Sequence, residues 1–164
     1  IHTKAMDEYN GGFVSISTGR ARGTEDIDLL VPVPKTEVFA SLFTEVVQNG
    51  FWCYQGDEAG EAYEYITNRH PIRFARIHEM FPNIEFVPID KSMKAKFFEF
   101  THPQKIQIKD FEFKIPPLEF EILYKEGILK SQKDHADAKH LRTFFSEILK
   151  KERFKEYEKI LKQQ

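Results

Sequence analysis

The chain has 164 residues, 41% of them hydrophobic and 30% charged, with a formal net charge of −2. Those values describe one globular domain with a helical appendage; they exclude a disordered chain and a global positive field for gripping nucleic acid, leaving local patches for any RNA contact. A single cysteine, Cys53, excludes an internal disulfide and a Cys-rich zinc site, and no apolar run approaches the roughly 18 residues a membrane span needs. A cytoplasmic protein without a membrane partner is therefore expected. Because the first residue is Ile1 rather than Met, the natural protein is expected to extend further upstream.

In chain order, the first clear element is a strand. Asp26-Ile27-Asp28-Leu29-Leu30-Val31 passes from alternation into an apolar run, as in a strand covered on both faces, and Pro32 and Pro34 end it. Thr36 is placed to cap a helix with Val38, Phe39, Leu42, Phe43, Val46 and Val47 on one face, and Asn49-Gly50 stops it. After Phe51 to Tyr54 comes an acidic segment through Asn68 that fits either helix or loop. Residues 72–77 and 84–89 read as two strands joined by a Pro-Asn turn, and 105–109 with 111–115 as a small hairpin. Helices are expected over 117–129, 131–149 and 152–161. The fold class is α/β (α+β): a mixed sheet with covering helices, then C-terminal helices. Residues 1–116 form the α/β core, and 117–164 a helical part packing on it as the same compact unit.

The pair Asp26 and Asp28 carries the chemistry. Residues two apart in a strand project from one face, so both carboxylates meet while Ile27 points into the core. Two adjacent anions beside an apolar run call for a cation, and Mg²⁺ or Mn²⁺ suits oxygen ligands and triphosphates. The alternative is a polar strand entry in solvent. Upstream lie Gly11-Gly12, Ser15, Ser17, Thr18 and Arg20 to Glu25. Paired glycines permit close backbone approach to phosphate, and hydroxyls and arginines supply donors and charge. Glu85 is the candidate third carboxylate: Ile84 and Phe86 face away from it, which leaves it free to point with the aspartates. A solvent-facing glutamate is the alternative, and Asp90 the fallback.

Gly-Gly followed by Arg-x-Thr-x-Asp-Ile-Asp-Leu resembles the polymerase-beta type of nucleotidyltransferase, in particular its minimal prokaryotic branch related to the abortive-infection (AbiEii) toxins. The resemblance implies that Gly11, Gly12 and Ser15 grip nucleotide phosphates, that Asp26 and Asp28 bind Mg²⁺, and that Arg22 and Thr24 flank the pocket. A second block supports it. Leu118, Ile122 and Leu129 form a helical stripe that contains Lys125, a charge normally avoided there. The lysine either snorkels to solvent or reaches a phosphate. With Lys133-Asp134-His135-Ala136-Asp137 it resembles the Lys, Lys-Asp-x-x-Asp signature of the same branch, which makes Lys125 and Lys133 phosphate or catalytic contacts and Asp137 a site-organising residue. Asp134 reads as a helix cap through Ser131-x-x-Asp134. The polar stretch Ala5 to Asn10 departs from the apolar strand that normally leads into Gly-Gly, and a missing N-terminal helix and strand would account for it.

The activity implied is Mg²⁺-dependent transfer of NMP from an NTP to a hydroxyl of an RNA, such as tRNA, or of a protein, with a toxin role and a cognate antitoxin as further implications. The rival reading is a catalytically silent module that binds nucleotide or protein. Histidines at 70, 78, 135 and 140 make no zinc spacing, Cys53 reads as packing, and Phe97, Phe98 and Phe100 read as core.

Overall fold

The computed structural model describes residues 26–108 and 110–162, and these form two compact units that divide between Ser92 and Met93. The architecture is mixed α+β, with a four-stranded sheet and a separate two-stranded one. The division lies upstream of the expected boundary at 116. The hairpin belongs with the helices because its Ile106 and Ile115 pack with Leu118, Ile122 and Leu141.

The first unit runs β1 (Asp26–Pro32), α1 (Thr36–Gln48), β2 (Phe51–Cys53), α2 (Ala59–Thr67), β3 (Ile72–Arg76) and β4 (Asn83–Ile89). The sheet order is β1-β4-β3-β2, with β1 parallel to β4 and the other pairs antiparallel. Alternation gives the sheet two unlike faces. One carries Leu29, Phe74, Ile84 and Phe86 and is covered by α1, whose buried Phe39 and Phe43 continue a chain of rings: Phe39 to Phe43 at 6.1 Å, Phe43 to Phe74 at 5.7 Å, Phe74 to Phe86 at 5.0 Å. The other carries Asp28, Glu85 and Arg73. Helix α2 fills the expected helix-or-loop segment and joins through Ala62, Ile66 and the Tyr63 hydroxyl, which donates to the Pro34 carbonyl at 3.0 Å.

Helix α1 starts without a side-chain cap. Lys35, in extended conformation, is the N-cap, and Thr36 has already entered the helix, one residue past the position from which its hydroxyl would cap. The stop is as expected: Asn49 ends the helix, its side chain donating to the Glu45 carbonyl at 2.7 Å, and Gly50 takes φ +85° to turn the chain into β2.

The second unit runs α3 (Lys94–Thr101), β5 (Gln104–Ile108), β6 (Phe111–Ile115), α4 (Leu118–Tyr124), a π-helical turn (Lys125–Leu129), α5 (Gln132–Phe144) and α6 (Lys151–Leu161). Helix α4 is central, buried on every side over Leu118–Ile122. Leu118 and Ile122 meet Ala138 and Leu141 of α5; Phe120 meets Ala95 and Tyr157, with Phe98 and Ile160 around them. The Phe97 to Phe100 stretch is thus helix, and Phe98, expected in the core, is partly buried and packs on the cluster around Phe120. Helix α5 ends at Phe144 rather than 149. Turns closed by Ile148 N–H and Leu149 N–H to the Phe145 carbonyl let Phe145 and Leu149 both pack on the cluster around Leu118.

Phe74→Ala removes a ring held between two others and is expected to cost about 3–5 kcal/mol of the first unit's stability. Ile77→Ala, at a residue 49% exposed, is expected to stay within about 0.5 kcal/mol. Urea unfolding of both variants checks the contrast.

Candidate functional site

In the parallel β1–β4 ladder Asp28 sits opposite Glu85, and in the antiparallel β3–β4 ladder Glu85 sits opposite Arg73. Residues paired across a sheet share a face, so Asp28, Glu85 and Arg73 form a row over three adjacent strands, with Asp26 two residues back along β1. Ligand oxygens of Asp26, Asp28 and Glu85 all lie within 4.8 Å of one another. Among the described residues this is the one group of three or more His, Cys, Asp or Glu side chains close enough to hold a metal ion. Its donors are all hard carboxylate oxygens, which suit Mg²⁺ or Mn²⁺ rather than a soft metal. Like charges directly opposite on neighbouring strands repel. The Arg73 guanidinium meets this in part, through an ion pair between Nη2 and Glu85 Oε1.

Asp90, the fallback, has other work. It accepts from the Ser92 N–H at 2.7 Å and the Ser92 hydroxyl at 2.5 Å, and pairs with Arg69 at 2.6 Å. Gly11, Gly12, Ser15, Arg22 and Thr24 lie outside the described residues.

The second block falls in the helical unit. Lys125 is 5% exposed, and its ammonium pairs with Glu121 at 3.3 Å, Asp137 at 3.4 Å and Asp134 at 3.6 Å. It does not snorkel to solvent: the charge is engaged by carboxylates of its own unit. The π turn is what permits this. Lys130 N–H reaches back five residues to the Lys125 carbonyl at 3.0 Å, Lys130 takes a left-handed φ of 59°, and Ser131 then caps α5 so that Asp134 and Asp137 come round onto Lys125. The Ser131–Asp134 capping box expected from the sequence is present. Asp137 is fully buried, whereas Lys133 is exposed on the first turn of α5 and is not part of this group.

The network extends to residues that sequence reasoning missed. Lys96 Nζ lies 3.2 Å from Glu99 Oε2 and 5.0 Å from the centre of the Tyr124 ring. Burial pushes the Glu99 carboxyl up, Lys96 opposes this, and nearby Glu121 adds to it; the result is about 7. Lys96 moves upward in spite of burial, because Glu99 and Glu121 favour its charged form. For Asp134 burial raises the value, but hydrogen bonds from Ser131 and the Lys125 charge outweigh it and hold the carboxyl below its ordinary range. Glu119, the other buried acid of α4, accepts from the Lys150 N–H at 2.9 Å and so caps α6 from a distance in sequence. The missed signal was spacing: Glu121 with Lys125 is an i,i+4 pair and Lys96 with Glu99 an i,i+3 pair. Cys53 is buried as expected, and burial pushes its thiol up.

Comparison with protein-family models and with curated proteins found no match for the chain. No helix among the described residues is long and apolar enough to cross a membrane.

Two outcomes are expected. Between pH 4.5 and 7 the folded protein keeps a proton on Glu99 that the unfolded chain has released, so this contribution to stability is full below about 4.5 and lost by about 7, on the order of 3 kcal/mol across the window. Urea midpoints measured against pH are expected to fall less steeply in Glu99→Gln than in the parent. Lys125→Met leaves three carboxylates without their shared counter-ion and is expected to destabilise the helical unit by about 3–5 kcal/mol, read by thermal or urea unfolding.

Proposed function

We propose that the protein is a Mg²⁺-dependent nucleotidyltransferase that moves NMP from an NTP to an acceptor hydroxyl and releases pyrophosphate. The observation that carries this reading is the trio Asp26, Asp28 and Glu85: two carboxylates from one strand and a third from the strand paired beside it, gathered within 4.8 Å. The Gly-Gly and Arg-x-Thr-x-Asp-Ile-Asp pattern, with its resemblance to the polymerase-beta type, supports it.

In this reading Asp26, Asp28 and Glu85 would hold Mg²⁺ or Mn²⁺. When bound, the metal supplies charge that offsets the triphosphate and lowers the pKa of the attacking hydroxyl. The protein's own part is positional. The β1–β4 ladder sets the three carboxylates, and Gly11, Gly12, Ser15, Arg22 and Thr24 would receive the phosphates. Lys133 is exposed and available to an anionic substrate. Asp137 orders Lys125 within the helical unit. An RNA such as tRNA, or a protein side chain, is the proposed acceptor, and a cognate antitoxin the proposed partner if the activity is toxic.

The test is transfer of α-³²P from each NTP, with Mg²⁺, into total tRNA and into the protein itself. Label is expected with the parent chain and expected to fall to background in Asp26→Asn, Asp28→Asn and Glu85→Gln. Equal labelling by the parent and all three variants would overturn the reading.

A further inference from the structure

The arginine in the carboxylate row has no place in the motif that led to the site. Arg73 stands opposite Glu85 on β3, and Glu85 stands opposite Asp28 on β1, so one sheet face presents cation, anion, anion in register. The other arginines of this unit have different work. Arg69 pairs with Asp90, and Arg76 lies over the Phe51 ring at 5.9 Å on the opposite face. Among the described residues Arg73 is thus the arginine whose register position aims it at the trio, and its ion pair goes to the glutamate.

We infer that Arg73 is a positioning residue, which holds the Glu85 carboxylate in the orientation that completes a divalent-cation site with Asp26 and Asp28. The inference rests on the metal-binding reading proposed above and assigns a role that reading lacks. Glutamate is one methylene longer than aspartate and has an additional torsion to fix. A guanidinium ion-paired to Oε1 restrains it, in the way that ligating carboxylates are commonly oriented by a partner beyond the metal. Arg73 also brings positive charge towards a cation site, which opposes metal binding. The two effects differ in range. The side chain of Arg73 is 42% exposed, so solvent and salt screen its charge, whereas the ion pair to Glu85, 13% exposed, is direct. Orientation therefore outweighs repulsion, and removing Arg73 weakens metal binding.

The probe is Mn²⁺ alone, titrated into the full chain and followed by electron paramagnetic resonance of the free ion. Parent protein is expected to take up Mn²⁺, and Arg73→Ala and Arg73→Gln to bind it about 10-fold or more weakly. Arg73→Lys, which keeps a donor and the charge, is expected to recover most of the loss. In a Glu85→Gln background Arg73→Ala is expected to add nothing, since the residue it positions has lost its ligand charge. Circular dichroism of each variant confirms that the sheet is intact, and the Gln and Lys variants keep the test open if Ala misfolds. Unchanged or tighter Mn²⁺ binding in folded Arg73→Ala and Arg73→Gln overturns the inference while leaving the metal site standing. Absence of Mn²⁺ uptake by the parent overturns the metal reading itself, and this inference with it.

Discussion

The register between β1 and β4 is the constraint on which the first unit turns. A parallel pair that sets Asp28 beside Glu85 also sets Leu29 beside Phe86 and Ile27 beside Ile84, so one alignment collects the carboxylates on one face and the aromatic chain on the other. A slip of one residue would carry Asp28 beneath α1 and bring Leu29 out among charges. Apolar burial thus defends the arrangement of the acids. Phe39, Phe43, Phe74 and Phe86 do not touch a substrate in the proposed reaction, yet they hold the geometry that any cation would meet.

The helical unit solves a different electrostatic problem. Its central helix is too short and too enclosed to offer a polar face to water, and still it carries Glu119 and Glu121. Each acid is matched: Glu119 by the backbone N–H of Lys150 just ahead of α6, Glu121 by Lys125 one turn further along the chain. Burying charge in this way stabilises little by itself, because desolvation consumes most of the attraction. What it confers is a single allowed arrangement of α4, α5 and α6, since a shifted helix would strand an anion.

Much of the sheet was legible because its strands obey simple rules. The apolar run after Asp26, the alternation around Glu85 and the Asn49-Gly50 stop each has one local cause, and the facing of Glu85 followed from period two alone. Helix α3 was not legible, because Lys94 to Thr101 interleaves lysines and phenylalanines without a clean stripe and becomes helix through packing of Phe98 on Phe120 and Tyr157. The π turn at Lys125 was hidden for a related reason: five-residue hydrogen bonding leaves no periodic mark in so short a piece. Arg73 and the Lys96–Glu99 pair were overlooked although their spacing was visible, because their meaning depends on which strand or helix lies alongside. Pairing between remote segments is what a single sequence expresses least.

The bond from Lys150 N–H to Glu119 also bears on the order in which the helical unit is completed during synthesis. Glu119 leaves the ribosome some thirty residues before its donor, since Lys150 follows it by 31 positions. Until that donor arrives, closing α4 against α3 and α5 would bury an anion with nothing to bond it, and the closed form is correspondingly disfavoured. Completion of the packing around α4 is therefore expected to follow synthesis of Lys150, the residue just ahead of Lys151–Leu161. The same contact ties the seating of that helix to the closing of α4.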